Sequence, residues 1–140
     1  MERKHLEKHL DIIQQNISRM ASNSFTIKGW LIALISAGYI FVSKEYSKYL
    51  ILLSIILIVG FAFLDSMYLQ NERKFRCLYN IVVLDTNQKV IKDLEINIKH
   101  EKIINNKDTH LFRCLFSRSI IIPYLFMLIY NIMLFIMVSI

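Results

Sequence analysis

Hydrophobic and polar positions are grouped in long blocks along this chain. Three blocks lack charged residues: 29–43, 49–64 and 119–140. The third is long enough for the roughly 20 residues that a bilayer core requires. The first two become long enough when 25–28 and 65–69 are added, which places Lys28 and Asp65 inside the membrane near one end. The pattern predicts an all-α membrane protein with three transmembrane helices.

The first two blocks are joined by a short linker, 44–48, which predicts a tight antiparallel helical hairpin. A turn at Tyr46 brings Lys28 level with Asp65. We expect these two to pair, because opposite charges inside a membrane stabilise each other. Arg19 is a competing partner for Asp65. Three tyrosines at the hairpin end are typical of an aromatic belt, namely Tyr39, Tyr46 and Tyr49.

Basic residues are concentrated on one side of the predicted membrane. Residues 1–28 and 70–118 carry most of them, whereas the hairpin loop carries Lys44 and Lys48. The positive-inside rule therefore predicts a cytoplasmic N-terminus and an outward-facing C-terminus. The predicted segments are a cytoplasmic amphipathic helix (1–24), a transmembrane hairpin (25–69), a small basic cytoplasmic segment (70–116) and a third transmembrane helix (117–140).

The predicted N-terminal helix has one apolar stripe with intervals of three or four residues. It consists of Leu6, Leu10, Ile13, Ile17 and Met20. The stripe lies either on the membrane surface or against a neighbouring subunit, and nearby acidic residues favour the second interpretation. Asn23 and Ser24 predict a break before the first span.

The segment after the second span is expected to begin as a helix. Tyr68 to Val83 has an apolar and a basic face and predicts a continuation of the second helix. The pattern from Val90 to Ile98 fits a helix or a strand equally well. A loop is expected at 105–108.

The composition favours helices, and the candidate chemical residues show no catalytic or metal-binding pattern. Hydrophobic residues make up 55% of the chain, with three glycines and one proline, which favours helices. Cys77 and Cys114 lack metal-ligand spacing. His5 and His9 share a helical face, but only Glu2 lies near enough to complete a metal site, so two solvated histidines are the preferred interpretation. No catalytic motif is visible, and we expect no enzyme activity, cofactor or metal.

Two polar residues lie within the predicted spans. Asn131 is in the middle of the third, where an amide needs a partner on another helix or lines a pore. Ser54 in the second span has the same two interpretations. For both residues a helix interface is the preferred one.

The basic cytoplasmic segment is a candidate ligand-binding region. Arg73, Lys74 and Arg76 alternate with aromatic residues, as on many nucleic-acid-binding surfaces. The positive-inside rule alone explains part of this charge. The surplus favours anionic lipid headgroups or a phosphate-rich ligand such as a nucleotide or oligonucleotide.

Two stretches carry a resemblance to a known family. Residues 12–30 read IIQQNISRMASNSFTIKGW, and residues 63–79 read FLDSMYLQNERKFRCLY. Both resemble a family of small uncharacterised bacterial multi-pass membrane proteins with RMAxNSFxxKGW and LDxxYLxxERxFRxLY motifs, and the later DLEINI and LFSRS stretches are also similar. The motif positions are Arg19, Asn23, Ser24, Lys28, Trp30, Asp65, Tyr68, Glu72, Arg73 and Arg76.

The resemblance extends to membrane effectors of anti-phage defence. It implies a homo-oligomer, a tetramer or larger, that forms a gated ion channel in the bacterial inner membrane and causes abortive infection by depolarisation. The ligand would be a nucleotide or oligonucleotide made by a partner nucleotidyltransferase. Arg19, Lys28 and Asp65 are the candidate gate. The alternatives are a non-conducting anchor for a soluble partner and a holin-like lytic protein.

Overall fold

The computed structural model describes residues 3–41, 47–84, 96–98 and 100–139. These residues form helices and no strand. The helices are α1 (Arg3–Phe41), α2 (Ser47–Leu84), α3 (Glu101–Ile104), α4 (Leu111–Leu115) and α5 (Arg118–Ser139), with a 3₁₀ turn at Lys107–Thr109. Most of the predicted hairpin linker and of Val90 to Ile98 lies outside the described residues.

The two longest helices, α1 and α2, form an antiparallel pair. They have 39 and 38 residues, so each is about 57 Å long, nearly twice the thickness of a bilayer core. Each has an apolar half and a charged half. The predicted helical continuation of Tyr68 to Val83 is present within α2. We call the end of the molecule that carries the charged halves, α3 and α4 the basic end.

Helix α2 lies in the centre of the structure. Helices α1 and α5 pack on α2, and in the described parts of the chain their backbones do not approach each other closely. The apolar halves meet in a cluster of buried side chains, which are Leu31, Ile58, Ile120 and Tyr124. Helices α2 and α5 are both long and apolar enough to cross a membrane.

Helix α1 continues without interruption through Asn23 and Ser24, so the predicted break is wrong. Serine and asparagine interrupt helices when their side chains compete for local backbone groups. The Ser24 hydroxyl instead donates to Asp65 on α2. The amphipathic segment is therefore not a separate element but the first half of one long helix.

The N-terminal apolar stripe packs on α2 of the same chain. Ile13 is fully buried and belongs to one cluster with Leu78, Val82 and Ile103, and the rest of the stripe lies around it. The stripe is therefore buried within its own chain and packs neither on the membrane surface nor on a neighbouring subunit. Helical periodicity identified the buried face, but the partner is the charged half of α2, whose own apolar face needs to be covered.

The apolar halves of α1, α2 and α5 expose large hydrophobic side chains. On α1, Phe25 is 79% and Ile40 77% exposed, and on α5 Phe126 is 74% exposed. A soluble domain rarely exposes such a contiguous apolar surface. These faces require an apolar environment or further protein.

Replacing Ile13 by alanine should loosen the N-terminal half of α1 from α2. Loss of a fully buried isoleucine in this cluster should cost about 3 kcal/mol. Hydrogen–deuterium exchange of the purified protein in nanodiscs should therefore accelerate in residues 5–20 and not in α5. The exposed neighbour Gln14→Ala is the control, and equal exchange in both variants would contradict the packing described.

Candidate functional site

A buried ion pair joins α1 to α2 where their apolar and charged halves meet. Lys28 Nζ lies 2.5 Å from Asp65 Oδ2. Asp65 is fully buried, and the Lys28 side chain is 19% exposed. Ser24 donates its hydroxyl to the other Asp65 oxygen and accepts a hydrogen bond from Lys28 Nζ at 2.9 Å. The predicted pairing of Lys28 with Asp65 is present, whereas its role in gating stays a prediction.

Helix α5 also reaches this pair. The Tyr124 hydroxyl lies beside the Asp65 carboxylate and donates to the Phe61 carbonyl at 3.3 Å. Three helices therefore surround one carboxylate, and each contributes a polar group to it or to the adjoining backbone. Sequence reasoning did not identify Tyr124, because a tyrosine in an apolar run is usually a packing residue.

The predicted competition of Arg19 for Asp65 is not observed. Arg19 is exposed and donates to Asn16 Oδ1 at 2.8 Å, one turn earlier on the same helix. Ser24, whose position on α1 is nearer to Lys28, takes the place beside the carboxylate. The candidate gate therefore consists of Lys28, Asp65 and Ser24, with Tyr124 adjacent.

A second polar cluster lies deeper in the apolar halves. Asn131 of α5 is 1% exposed and accepts hydrogen bonds at Oδ1 from Tyr39 of α1, at 2.6 Å, and from Ser54 of α2. Asn131 Nδ2 donates to the Met127 carbonyl at 2.9 Å. This arrangement is the one expected for a helix interface. Tyr39 was assigned to an aromatic belt, but its hydroxyl is directed into the bundle.

The two clusters have matching positions along α1 and α2. Tyr39 follows Lys28 by eleven residues, and Ser54 precedes Asp65 by eleven, which is about 16 Å along either helix. An antiparallel pair that aligns Lys28 with Asp65 therefore also aligns Tyr39 with Ser54. The two clusters fix the same register.

The basic end contains a cleft lined by three arginines. Its volume is about 610 Å³, and it lies between α2 and the segment that contains the 3₁₀ turn and α4. The lining side chains are mostly polar: Arg73, Arg76, Cys77, Asn80, Asn106, Asp108, Thr109, Arg113, Phe116 and Ser117. We call this the arginine cleft.

Arg73 of α2 bonds to the opposite wall of the arginine cleft. Its guanidinium donates to the Asp108 carbonyl at 3.1 Å and to the Ser117 hydroxyl at 3.0 Å. Among the described residues, no carboxylate lies within ion-pair distance of Arg73, whereas Arg76 pairs with Glu72 and Arg113 with Asp108. Among the described residues, the Arg73 guanidinium therefore contacts neutral hydrogen-bond acceptors and no carboxylate.

Two of the three predicted ligand-binding residues line the arginine cleft. Arg73 and Arg76 do so, but Lys74 does not. Arg113 takes the third position and was missed, because it lies 37 residues beyond Arg76. The signal that locates it is the turn around Asn106, whose side chain accepts from the Asp108 backbone and folds the chain back onto α2.

Cys114 and His9 are buried. Burial raises the pKa of the Cys114 thiol, although Arg73 and Lys74 act in the opposite direction, so the thiol stays neutral and unreactive. His9 is 2% exposed, which corrects the interpretation of two solvated histidines. Among the described residues, no group of three potential metal ligands occurs.

Neither a protein-family model nor a curated protein nor a solved structure matches the chain. The resemblance to bacterial multi-pass membrane proteins stays a prediction. Functional inference therefore depends on the two polar clusters, the arginine cleft and the exposed faces of the helices.

Removing one member of the buried ion pair should destabilise the bundle more than removing both. Asp65→Leu leaves Lys28 without its carboxylate and should cost about 3 kcal/mol, whereas Lys28→Met combined with Asp65→Leu should recover most of that loss. Unfolding in detergent mixtures measures these differences. Glu72→Gln, which removes the exposed pair with Arg76, is the control and should cost about 0.5 kcal/mol. A double variant no more stable than Asp65→Leu would argue against the pairing.

Replacing Asn131 by leucine should weaken the association of α5 with both other helices. The change leaves the hydroxyls of Tyr39 and Ser54 without their shared acceptor, at a cost of about 1–2 kcal/mol. The same unfolding assay measures it. Ile132→Leu, at the exposed neighbouring position, should have little effect, and a similar cost for both variants would count against the cluster.

Proposed function

We propose that the chain is one subunit of an oligomeric, gated ion channel in the bacterial inner membrane, controlled by a phosphate-bearing anion at its cytoplasmic end. The observation that carries this proposal is a row of small and hydroxyl-bearing residues on the exposed side of α1, from Ser22 to Ser36. We call this row the outer face of α1. The function in anti-phage defence rests on the resemblance to membrane effectors described above.

Three transmembrane helices are part of this proposal. Helices α2 and α5 have the required length and apolarity. The apolar half of α1 supports a third span, because it exposes side chains such as Phe25 and Ile40 that water would disfavour. The hydrogen bond from Tyr39 to Asn131 further supports the third span, because it places the end of α1 at the same depth in the membrane as the middle of α5.

The basic end is proposed to face the cytoplasm, with the N-terminus inside and the C-terminus outside. This orientation follows from the excess of lysine and arginine in 1–28 and 70–118. It places the arginine cleft in the cytoplasm and the Lys28–Asp65 pair just inside the bilayer.

One row of exposed positions on α1 differs from the exposed positions of α2 and α5. Small or hydroxyl-bearing residues occupy this row at intervals of three or four, and the row ends at the large Ile40. They are Ser22, Thr26, Gly29, Ala33 and Ser36. The exposed positions of α2 and α5 are mostly large and apolar, for example Leu53 and Ile129. Small residues allow helices to approach closely, and hydroxyls tolerate water. Helix α1 would therefore face other copies around the pathway, with α2 and α5 toward lipid.

An assembly of several copies is necessary for conduction, because three helices packed as these are enclose no aqueous pathway. Among the described residues of the apolar halves, Lys28, Asp65 and Ser24 bond to one another, and so do Tyr39, Ser54 and Asn131. The charged pair is the candidate gate. Breaking the pair would let α1 rotate or shift relative to α2.

The arginine cleft is the proposed control site. Three arginines that converge on a cavity of about 610 Å³ suit a phosphate-bearing ligand. A nucleotide or oligonucleotide made by a partner nucleotidyltransferase is the ligand implied by the resemblance. Ligand binding would alter the position of α5 through Arg73 and Ser117.

A non-conducting anchor for a soluble partner is the second candidate. One observation favours it: both polar clusters are satisfied within a single chain, so a stable monomer needs no neighbour in the membrane. The two functions differ in whether the outer face of α1 meets water.

Cysteines placed on the outer face of α1 should react with a membrane-impermeant thiol reagent. In a Cys77→Ser background reconstituted in liposomes, Ala33→Cys should react about tenfold faster than Leu53→Cys or Ile129→Cys, because a thiol in water ionises and a thiol in lipid does not. The reagent should also reduce ion flux through Ala33→Cys. Equal, slow labelling of all three positions without flux would favour the anchor.

A further inference from the structure

An apolar groove follows the arginine cleft along the same face of α2. It lies between α2 and α5, has a volume of about 320 Å³ and is lined almost entirely by hydrocarbon. Its α2 side includes Val59 and Ala62, and its α5 side includes Ile121 and Leu125. Such a lining suits a hydrocarbon chain and offers almost nothing to a polar ligand.

The groove and the arginine cleft lie one after the other on the same side of α2. On α2, Val59 and Ala62 are followed at helical intervals by Ser66, Leu69 and Arg73, so both cavities lie on one side of the helix. On the opposite wall, Leu115 lines the groove, and the next two residues line the cleft. A polar cavity therefore adjoins an apolar one.

The combined length of the cleft and the groove corresponds to one leaflet of a bilayer. Arg73 lies fifteen residues from Ile58, at the far end of the groove, and this distance is about 22 Å along α2, or half the thickness of a bilayer that includes its headgroup regions. Phe116, at the rim of the cleft, is 70% exposed. Its position just before α5 suits the boundary between headgroups and acyl chains, where aromatic side chains concentrate.

The charge of the cleft selects the headgroup. Asp108 is the single acidic side chain in the described lining, against Arg73, Arg76 and Arg113. Because Arg73 contacts only neutral acceptors among the described residues, an incoming phosphate gains a charge-assisted hydrogen bond without displacing a carboxylate from it.

We propose that the arginine cleft and the adjoining groove bind an anionic glycerophospholipid of the inner leaflet, with its phosphate at Arg73 and Arg113 and one acyl chain between α2 and α5. This inference rests on the proposed function, since it requires the basic end to face the cytoplasm and the cleft to bind phosphate. The bound lipid joins α2 to α5 at the point where Arg73 contacts Ser117.

Native mass spectrometry of the delipidated full chain, titrated with phosphatidylglycerol or phosphatidylcholine, tests the proposal. Phosphatidylglycerol should bind more tightly, and Arg73→Gln should weaken its binding about tenfold or more. Arg118→Gln removes the same charge from an exposed position outside the cleft and should have little effect.

Two further substitutions test whether the groove holds the acyl chain. Ala62→Leu should fill the groove and weaken phosphatidylglycerol binding without changing any charge. Gly60→Leu, two residues away on the same helix, is the matched control, because an added Cβ at Gly60 meets no atom within 4 Å. Thermal unfolding of each variant verifies that it is folded.

Titrations with inorganic phosphate and with ATP distinguish a lipid headgroup from a soluble phosphate as the ligand of the cleft. Binding of either one that depends on Arg73 but not on Ala62, with no preference for phosphatidylglycerol, would overturn the lipid proposal and leave a soluble ligand at the control site. If Arg73→Gln changes the binding of none of these anions, both the lipid proposal and the proposed control site are wrong. Neither result decides whether the outer face of α1 conducts ions, which the cysteine labelling measures separately.

Discussion

A carboxylate buried in an apolar helical bundle needs a cation beside it, and this constraint fixes the register of the molecule. Asp65 is fully buried and has Lys28 at 2.5 Å. In a medium of low polarity, separating these charges costs far more than it does in water. The pair therefore sets both the depth and the rotation of α1 against α2. The Tyr39–Ser54–Asn131 cluster, eleven residues away on α1 and α2, is possible only in that register.

The same constraint separates the inside of the bundle from its outside. Polar groups in the apolar halves turn inward, where other helices satisfy them, and large hydrocarbon side chains are left on the surface. Against this pattern, the row of small and hydroxyl-bearing residues from Ser22 to Ser36 on α1 is the exception. Its residues do not contribute to the interior of the subunit, so their composition is best explained by what surrounds the subunit. For this reason the proposed function depends on α1 and not on the more apolar α2 and α5.

Two features could be predicted from the sequence alone: the depth at which two charged residues meet, and the buried face of an amphipathic helix. Aligning two charged residues across a short hairpin predicted the Lys28–Asp65 pair, and periodicity identified Ile13 and its neighbours as a buried face. Neither method identifies a partner that lies far away in the chain. The packing of the N-terminal stripe on α2, the inward direction of Tyr39 and the arrival of Arg113 beside Arg73 all depend on tertiary contacts. The expected break at Asn23 and Ser24 failed for the same reason, since Ser24 bonds across helices to Asp65.

Control of a channel from the arginine cleft requires a mechanical connection to the buried ion pair, and α5 supplies one. Its start is held by the hydrogen bond from Arg73 to Ser117, and seven residues later Tyr124 lies beside Asp65. Seven residues span about 10 Å of continuous helix, too short to bend appreciably. An anion that draws the Arg73 guanidinium away from Ser117 would release the attachment that holds the start of α5 to α2. The next polar attachment along α5 is Tyr124, which donates to the Phe61 carbonyl and lies beside Asp65. Movement of the start of α5 would therefore be transmitted to the groups that hold Lys28 and Asp65 together.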